Sequence, residues 1–125
     1  MSKLRMFSAA VVAASLAVGA NAAFAGTKSV KIGDDWFVKS DQTTTPVVKI
    51  SKNSKVKFTW SGVDTHNVTL KSAPSGVTKS KFTFDDRSTG TKTTPKFSKP
   101  GTYKFVCTIH EVDGQKLTVK VKKPS

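Results

Sequence analysis

The chain contains one cysteine and two histidines among its 125 residues. A single cysteine excludes an internal disulfide, which small exported domains often use for stability. Cys107 is therefore either a buried apolar side chain or a side chain held by something other than sulfur. An exposed free thiol is oxidised in an oxidising compartment, so burial or metal ligation is favoured.

Long apolar runs are absent except at the N-terminus, where residues 7–20 follow two basic residues. This run is too short to span a bilayer comfortably. Ala23-Phe24-Ala25 then places small residues at both positions that a signal peptidase reads, which predicts cleavage before Gly26. No adjacent arginine pair precedes the run, and no cysteine stands at the cleavage point to carry a lipid. Residues 1–25 are thus a predicted signal peptide. Residues 26–125 are predicted to form one soluble domain in the periplasm or another extracytoplasmic space.

Acidic residues are scarce, with 8 against 21 basic residues in the whole chain. Residues 26–125 keep 19 basic and 8 acidic residues, a formal net charge of +11. Such an excess indicates acidic partners or anionic envelope surfaces, or simply a well-solvated face. Nucleic acid is the usual alternative for a basic chain. It is disfavoured here, because export separates the protein from nucleic acid and the lysines are scattered singly along predicted strands.

Helical periodicity is also missing, and apolar residues instead alternate with lysine or threonine. Period-two alternation predicts strands with one buried and one solvated face. The predicted strands are 29–32, 36–38, 47–50, 55–60, 68–71, 81–84, 102–107 and 116–121. Turn signals rich in Gly, Pro, Asn, Asp and Ser separate them. About seven to eight short strands predict an all-β fold, a Greek-key β-sandwich or barrel, with residues 75–94 the least regular part.

The cysteine and the two histidines form a candidate metal site. Tyr103, Phe105 and Cys107 alternate along one predicted strand and share a face, so core aromatics place the sulfur at the inner end of the sandwich. His110 follows on the next loop, and His66 reaches the site from across the sandwich. Two imidazoles and a thiolate with a weak axial donor are the ligand set of a blue-copper electron-transfer site.

Two longer segments around these ligands resemble the cupredoxin family, the small blue-copper proteins such as plastocyanin, amicyanin and the phytocyanins. Residues 55–60 and 65–69 are similar to the family's strand, loop and first histidine ligand. Residues 97–107 are similar to its Pro-Gly turn and the aromatic strand that leads to the copper cysteine. The resemblance covers nearly all of residues 26–125. It implies a cupredoxin-like sandwich with one type 1 copper ion bound by His66, Cys107 and His110.

The resemblance also implies an axial ligand. Plastocyanin-like members place methionine five positions after the loop histidine, which here is Gln115, and residues 114–119 are similar to the end of stellacyanin, whose axial ligand is glutamine. Amicyanin-like loops place methionine three positions after the histidine, which here is Asp113. A hard anionic oxygen on thiolate-bound copper would disfavour Cu(I). Gln115 is therefore the predicted ligand, with Asp113 as the alternative. The chain lacks the disulfide and the longer cysteine-to-histidine spacing of phytocyanins. The resemblance to stellacyanin therefore implies the glutamine ligand but not membership of the phytocyanin subgroup.

What the resemblance implies about function is a monomeric electron carrier that cycles between Cu(I) and Cu(II). An enzyme is not expected, because a four-coordinate site would leave no open position for a substrate. Electrons would pass to and from redox partner proteins through the exposed edge of His110, and Asn67 would tie the two ligand loops together. The net charge predicts partners with acidic docking surfaces, although Glu111 and Asp113 place a local negative spot beside His110.

Two other functions fit the same residues. A copper carrier or buffer without a role in a redox chain would use similar ligands. A metal-free, basic β-sandwich that binds acidic envelope components would need none of them, and it predicts no coloured complex with Cu(II).

Overall fold

The computed structural model describes residues 24–40 and 43–124. In these residues it has nine β-strands and two 3₁₀ turns, Lys79–Phe82 and Glu111–Asp113. The strands are β1 (Thr27–Gly33), β2 (Trp36–Phe37), β3 (Val47–Ser51), β4 (Lys55–Trp60), β5 (His66–Ser72), β6 (Phe84–Arg87), β7 (Gly90–Thr93), β8 (Gly101–Val106) and β9 (Lys116–Lys122). Nearly all of the predicted signal peptide, up to residue 23, lies outside the described residues. Within those residues, no helix has the length and apolar character needed to cross a bilayer.

The strands form two sheets. One sheet has the order β2-β1-β4-β7, and the other has the order β3-β9-β8-β5-β6. The chain changes sheet between β2 and β3 and again between β3 and β4, so β1 and β4 become parallel neighbours. The strands β3 and β9 are also parallel, and the remaining neighbours are antiparallel. The predicted all-β Greek-key sandwich is confirmed.

Alternating side chains build the core between the sheets. In β4, Val56, Phe58 and Trp60 are buried, whereas Lys55 and Lys57 are exposed. The ring of Phe58 lies at the centre and meets the rings of Phe37, Phe84 and Phe105 edge to face, with centroids 5.7 to 6.3 Å apart. Each fully buried aromatic side chain contributes roughly 1.5–3 kcal/mol through the area it removes from water. The core therefore holds the ends of β4 and β8 in fixed positions.

Seven of the eight predicted strands are confirmed, and the strand predicted at 81–84 is wrong. Residues 79–82 form a 3₁₀ turn instead, β6 begins only at Phe84, and β7 was not predicted. The hydroxyl of Thr83 donates to the carbonyl of Lys79 at 3.1 Å and accepts from the amide of Leu70 at 3.1 Å. These side-chain bonds stabilise the 3₁₀ turn, which places Phe82 in the core against Phe97. The spacing of Phe82 and Phe84 is nevertheless the alternation expected of a strand.

Six of the eight connections between strands are assigned to two opposite ends of the sandwich. Those that follow β1, β4 and β8 lie at what we call the upper end, residues 34–35, 61–65 and 107–115. Those that follow β3, β5 and β7 lie at the lower end, residues 52–54, 73–83 and 94–100. Hydrogen bonds join loops within each end, such as the Asp34 carboxylate to the Asp64 amide above and the Asn53 amide to the Phe97 carbonyl below.

Candidate metal centre

All four predicted ligand residues lie at the upper end. His66 is the first residue of β5 rather than a residue before the strand, and Cys107 directly follows β8. His110 and Gln115 flank the 3₁₀ turn of the loop between β8 and β9. His66, Cys107 and Gln115 are fully buried, whereas the side chain of His110 is 19% exposed. His66 is thus the more buried of the two histidines.

The three nitrogen and sulfur donors converge on one point. The two histidine Nδ1 atoms lie 3.1 Å apart, and the Cys107 sulfur lies 3.9 Å from Nδ1 of His66 and 3.8 Å from Nδ1 of His110. Donor atoms bound at about 2.0–2.3 Å in a trigonal plane lie roughly 3.5–3.8 Å from each other. The observed triangle is close to that size, so these side chains fit a single metal ion without rearrangement of the backbone.

Gln115 presents its oxygen to the same point. Its amide nitrogen donates to the carbonyl of Gly33 at 2.7 Å and to the carbonyl of Trp36 at 3.1 Å. Because both of these partners are carbonyl oxygens, which can only accept, the side-chain atom that faces them is the NH₂ group of Gln115. The side-chain oxygen of Gln115 therefore faces the histidines. Oε1 lies 3.0 Å from Nδ1 of His66. The turn between β1 and β2 therefore orients Gln115 from outside the site.

The proton on His66 is placed by Asp34. Nε2 of His66 lies 2.8 Å from Oδ1 of Asp34, a carboxylate that can only accept, so Nε2 carries the hydrogen. In neutral His66 Nδ1 then presents a lone pair, and so does the facing oxygen of Gln115. Two buried lone pairs that point at one spot with no proton between them repel each other unless a cation lies there. The donor set therefore fits a metal ion.

Asp34 is itself held in the ionised form. Its carboxylate accepts from His66 and from the backbone N–H groups of Asp64 at 2.9 Å and Val63 at 3.0 Å. The hydrogen bond from His66, followed by the two backbone N–H bonds, lowers the pKa of Asp34 from 3.8 to about 2. A carboxylate that accepts the hydrogen of the outer ring nitrogen fixes the ring orientation of a metal-binding histidine and raises the basicity of the other nitrogen.

The β1–β2 turn was missed as part of the site when the sequence was interpreted. This turn contains Asp34, which is bonded to His66, and also Asp35. The Asp35 carboxylate lies 3.9 Å from Nε2 of His110, beyond hydrogen-bond distance. Gly33 is required there because a Cβ atom would collide with the Trp36 ring. The run Gly-Asp-Asp-Trp indicates a turn, but nothing in it indicates contact with ligands that are more than thirty residues away in the chain.

Asn67 ties the two ligand loops together, as predicted. Its side-chain oxygen accepts from the backbone N–H of Thr108 at 3.1 Å, and its side-chain nitrogen donates to the Thr108 hydroxyl at 2.8 Å. The same nitrogen donates to Asp86 on β6 at 2.9 Å. The indole of Trp60 adds a further bond, to the carbonyl of His66 at 2.8 Å. The strand with the first histidine and the loop with the cysteine are thus fixed to each other.

Asp113, the alternative axial residue, lies elsewhere. It is exposed at the end of the 3₁₀ turn, and its backbone N–H donates to the His110 carbonyl at 3.0 Å. Among the described residues, the donor group that could hold a metal consists of His66, Cys107 and His110 and does not include it. Gly114, with φ of +87°, then turns the chain so that Gln115 points inward.

Comparison with known proteins gives consistent matches. The family of copper binding proteins of the plastocyanin/azurin type matches residues 38–122. Amicyanin-alpha from Methylorubrum extorquens is 38% identical over 122 residues, which cover 91% of this chain and 96% of that protein. Plastocyanin from Dryopteris crassirhizoma superposes with a TM-score of 0.56 at 26% identity, covering 75% of this chain and 99% of that one. Pseudoazurin from Methylobacterium extorquens shares the fold, with a TM-score of 0.59 at 22% identity over 78% of this chain and 76% of its own.

Proposed function

Because the chain belongs to the plastocyanin/azurin family of copper-binding proteins, we propose that it carries single electrons between proteins outside the cytoplasmic membrane. Copper is the metal of this family, and His66, Cys107 and His110 are positioned to bind it. We assign the fourth, axial position to Gln115.

One observation carries the axial assignment. With neutral His66, whose Nε2 carries the hydrogen that Asp34 accepts, the oxygen of Gln115 and the lone pair on Nδ1 of His66 face each other at 3.0 Å. An amide oxygen in this position is a harder donor than a thioether and favours Cu(II) over Cu(I). We therefore expect the copper site to have a lower reduction potential than a site with methionine at this position of the same protein.

The protein's contribution to electron transfer is a rigid donor set. Copper would supply the one-electron couple Cu(II)/Cu(I). Cys107 would bind the ion as the thiolate, and the contacts of Asp34, Asn67 and Gln115 hold the His66 ring, the cysteine loop and the Gln115 amide in place. A site that keeps one geometry in both oxidation states needs little rearrangement when the electron moves. No side chain is required as a general acid or base.

His110 is the proposed port for the electron. Of the four donor side chains, only that of His110 reaches the surface. A partner that contacts the upper end can therefore approach its ring edge, whereas the buried donors stay out of reach. The same burial favours retention of the ion and hence the electron carrier over the copper carrier.

A visible spectrum of residues 26–125 with one equivalent of Cu(II) tests the site. We expect intense thiolate-to-copper absorption that is lost in Cys107→Ala. Ile109→Ala is the matched control, because Ile109 lies on the same loop and its side chain is 45% exposed. A spectrum that Cys107→Ala leaves unchanged would contradict the ligand set.

The carrier role needs a second measurement. Rapid, reversible electron exchange with copper retained by the protein is the expected result. Transfer of the ion to an apo acceptor would instead favour the copper carrier.

Export is tested separately. We expect mass spectrometry of the protein recovered from outside the cytoplasmic membrane to give an N-terminus at Gly26. Recovery of the uncleaved chain in the cytoplasm alone would contradict export.

A further inference from the structure

Charge is segregated between the two ends of the sandwich. The three upper-end connections contain five carboxylates and no lysine or arginine: Asp34, Asp35, Asp64, Glu111 and Asp113. The three lower-end connections contain five lysines and no acidic residue: Lys52, Lys79, Lys81, Lys96 and Lys99. The domain is therefore an electric dipole along the strands, and its surface is not evenly basic as its net charge suggests.

The negative pole surrounds the exposed histidine. The Asp35 carboxylate lies 3.9 Å from Nε2 of His110, and Glu111 is the next residue in the chain. The upper-end loops also carry exposed apolar side chains, those of Val63, Ile109 and Val112. Apolar side chains at the centre and charges at the rim are the usual anatomy of a transient protein interface.

Few cations neutralise these carboxylates. Among the described residues, the one lysine or arginine nitrogen within 4.0 Å of any of the five is Nζ of Lys71, at 3.5 Å from Glu111. Arg87, on β6, is directed to the Trp60 ring instead, with its guanidinium 5.4 Å from the ring centroid. Asp34 is bonded to His66, which remains neutral when it binds a metal. The local charge around His110 is thus negative.

We propose that the protein which exchanges electrons through His110 docks on the upper end with a basic surface around its own redox centre. This inference rests on the proposed function and revises the acidic partner expected from the net charge. An acidic partner would be drawn to the lysines of the lower end, where it would lie a full strand length from His110.

Distance decides which charges a docked partner senses. A strand of six or seven residues is about 20 Å long. At physiological ionic strength the screening length is about 8 Å. The lower-end lysines are therefore screened by more than two such lengths at the upper end, whereas the carboxylates there act at contact distance. Local charge outweighs net charge in a docked complex.

Paramagnetic line broadening in NMR spectra of the zinc-loaded or Cu(I)-loaded protein tests the charge map directly. The probes are the cation hexaamminechromium(III) and the anion hexacyanochromate(III). We expect the cation to broaden amide signals of residues 34–35, 61–65 and 108–114, and the anion to broaden those of the lower-end connections. Broadening around His110 by the anion, or none there by the cation, would overturn the proposal.

Electron transfer supplies the second arm, with tris(phenanthroline)cobalt(III) as a cationic oxidant of the Cu(I) protein. Asp113→Asn should slow this reaction about twofold at low salt, because one carboxylate of the rim is lost. Ser98→Lys, at an exposed position of the lower end, makes the same change in net charge far from the rim and is expected to leave the rate nearly unchanged. Equal effects of the two variants on the oxidation rate would show that only net charge matters and would contradict the proposed docking surface. If no oxidant takes an electron while the NMR map holds, the proposed function fails and the charged surface remains.

Discussion

At the scale of single residues, Gln115 shows how a side chain outside the donor triangle is prepared for a metal. Its nitrogen is engaged by two backbone carbonyls, of Gly33 and Trp36, and its oxygen is thereby directed at the histidines. The residue is fully buried, so the amide cannot turn over without leaving these acceptors unsatisfied.

Substitution of Gln115 tests both functions of that amide. Gln115→Met should raise the reduction potential, because a thioether stabilises Cu(I) relative to an amide oxygen. It should also destabilise the metal-free protein by about 1–3 kcal/mol, since the carbonyls of Gly33 and Trp36 lose their donor. Cyclic voltammetry and urea denaturation measure the two effects. Gln115→Glu keeps the shape but adds a hard anionic donor, so a potential that rises in this control as well would contradict the axial assignment.

Asp34 acts on the metal through His66. Asp34→Asn removes the charge that polarises the ring, and copper affinity should fall by about 10–100-fold. The reduction potential should rise, because a negative charge near the site favours Cu(II). Asp35→Asn changes the net charge equally but lies 3.9 Å from His110 without a hydrogen bond. A competition titration with a chelator should therefore show a much smaller loss of affinity in that control, and equal losses would exclude a specific role for the Asp34–His66 bond.

The lowered pKa of Asp34 predicts how its contribution to stability depends on pH. Its pKa falls from 3.8 to about 2 on folding, because the hydrogen bond from His66 and two backbone N–H groups favour the carboxylate. The stabilisation is therefore fully present above pH 3.8 and is lost as the pH falls towards 2. In urea denaturation of the metal-free protein, the difference between wild type and Asp34→Asn should shrink from pH 5 to pH 2. A difference that widens over this interval would contradict the assignment.

At the scale of elements, the site depends on bonds between strands that belong to different parts of the chain. Asn67 on β5 is bonded to Thr108, which follows β8, and to Asp86 on β6. The three elements are neighbours in one sheet, so these bonds fix the end of that sheet where the cysteine loop begins.

Removal of that tie should weaken the fold and the site together. Asn67→Ala leaves the part-buried N–H of Thr108 without its acceptor, which should cost about 1–3 kcal/mol in the metal-free protein. Thr108→Ala removes only the hydroxyl partner. Denaturation of both single variants and the double variant measures the coupling, which should be substantial because the residues touch. Strictly additive effects would argue that Asn67 acts through Asp86 and the backbone N–H of Thr108 rather than through the Thr108 hydroxyl.

At the scale of the whole molecule, the two sheets meet at an end where the donors are assembled without a metal. Binding to such a site stabilises the folded state only, by about 2.7 kcal/mol when free metal exceeds the dissociation constant a hundredfold. For a domain of about this size each kcal/mol shifts the melting temperature by roughly 4–8 °C. Calorimetry should thus show a rise of about 10–20 °C on metal loading. Cys107→Ala should lose most of that rise, and a rise that it retains would place the metal elsewhere.

Much of the site could be predicted because it is local. Strand parity from Tyr103 to Cys107 directs the sulfur inward, and His110 and Gln115 follow within eight residues of the cysteine. The alternation in β4, β8 and β9 likewise predicts the sandwich. The 3₁₀ turn at residues 79–82 was not predicted because the Thr83 side chain competes with the strand pattern there. The strand β7 was not predicted because its four exposed residues have no alternation of apolar and polar side chains.

Contacts between distant parts of the chain could not be predicted in this way. Asp34 meets His66 across 32 positions, and the carbonyl of Gly33 meets Gln115 across 82. Likewise, among the six connections assigned to the two ends, the order of the strands sends the three that contain acidic residues to one end and the three that contain lysines to the other. Side-chain chemistry and the period at which apolar residues recur depend on residues close together in the sequence, so both can be recognised from the sequence alone. Which loops meet, and hence which charges surround His110, depends on how the sheets pair and pack in space.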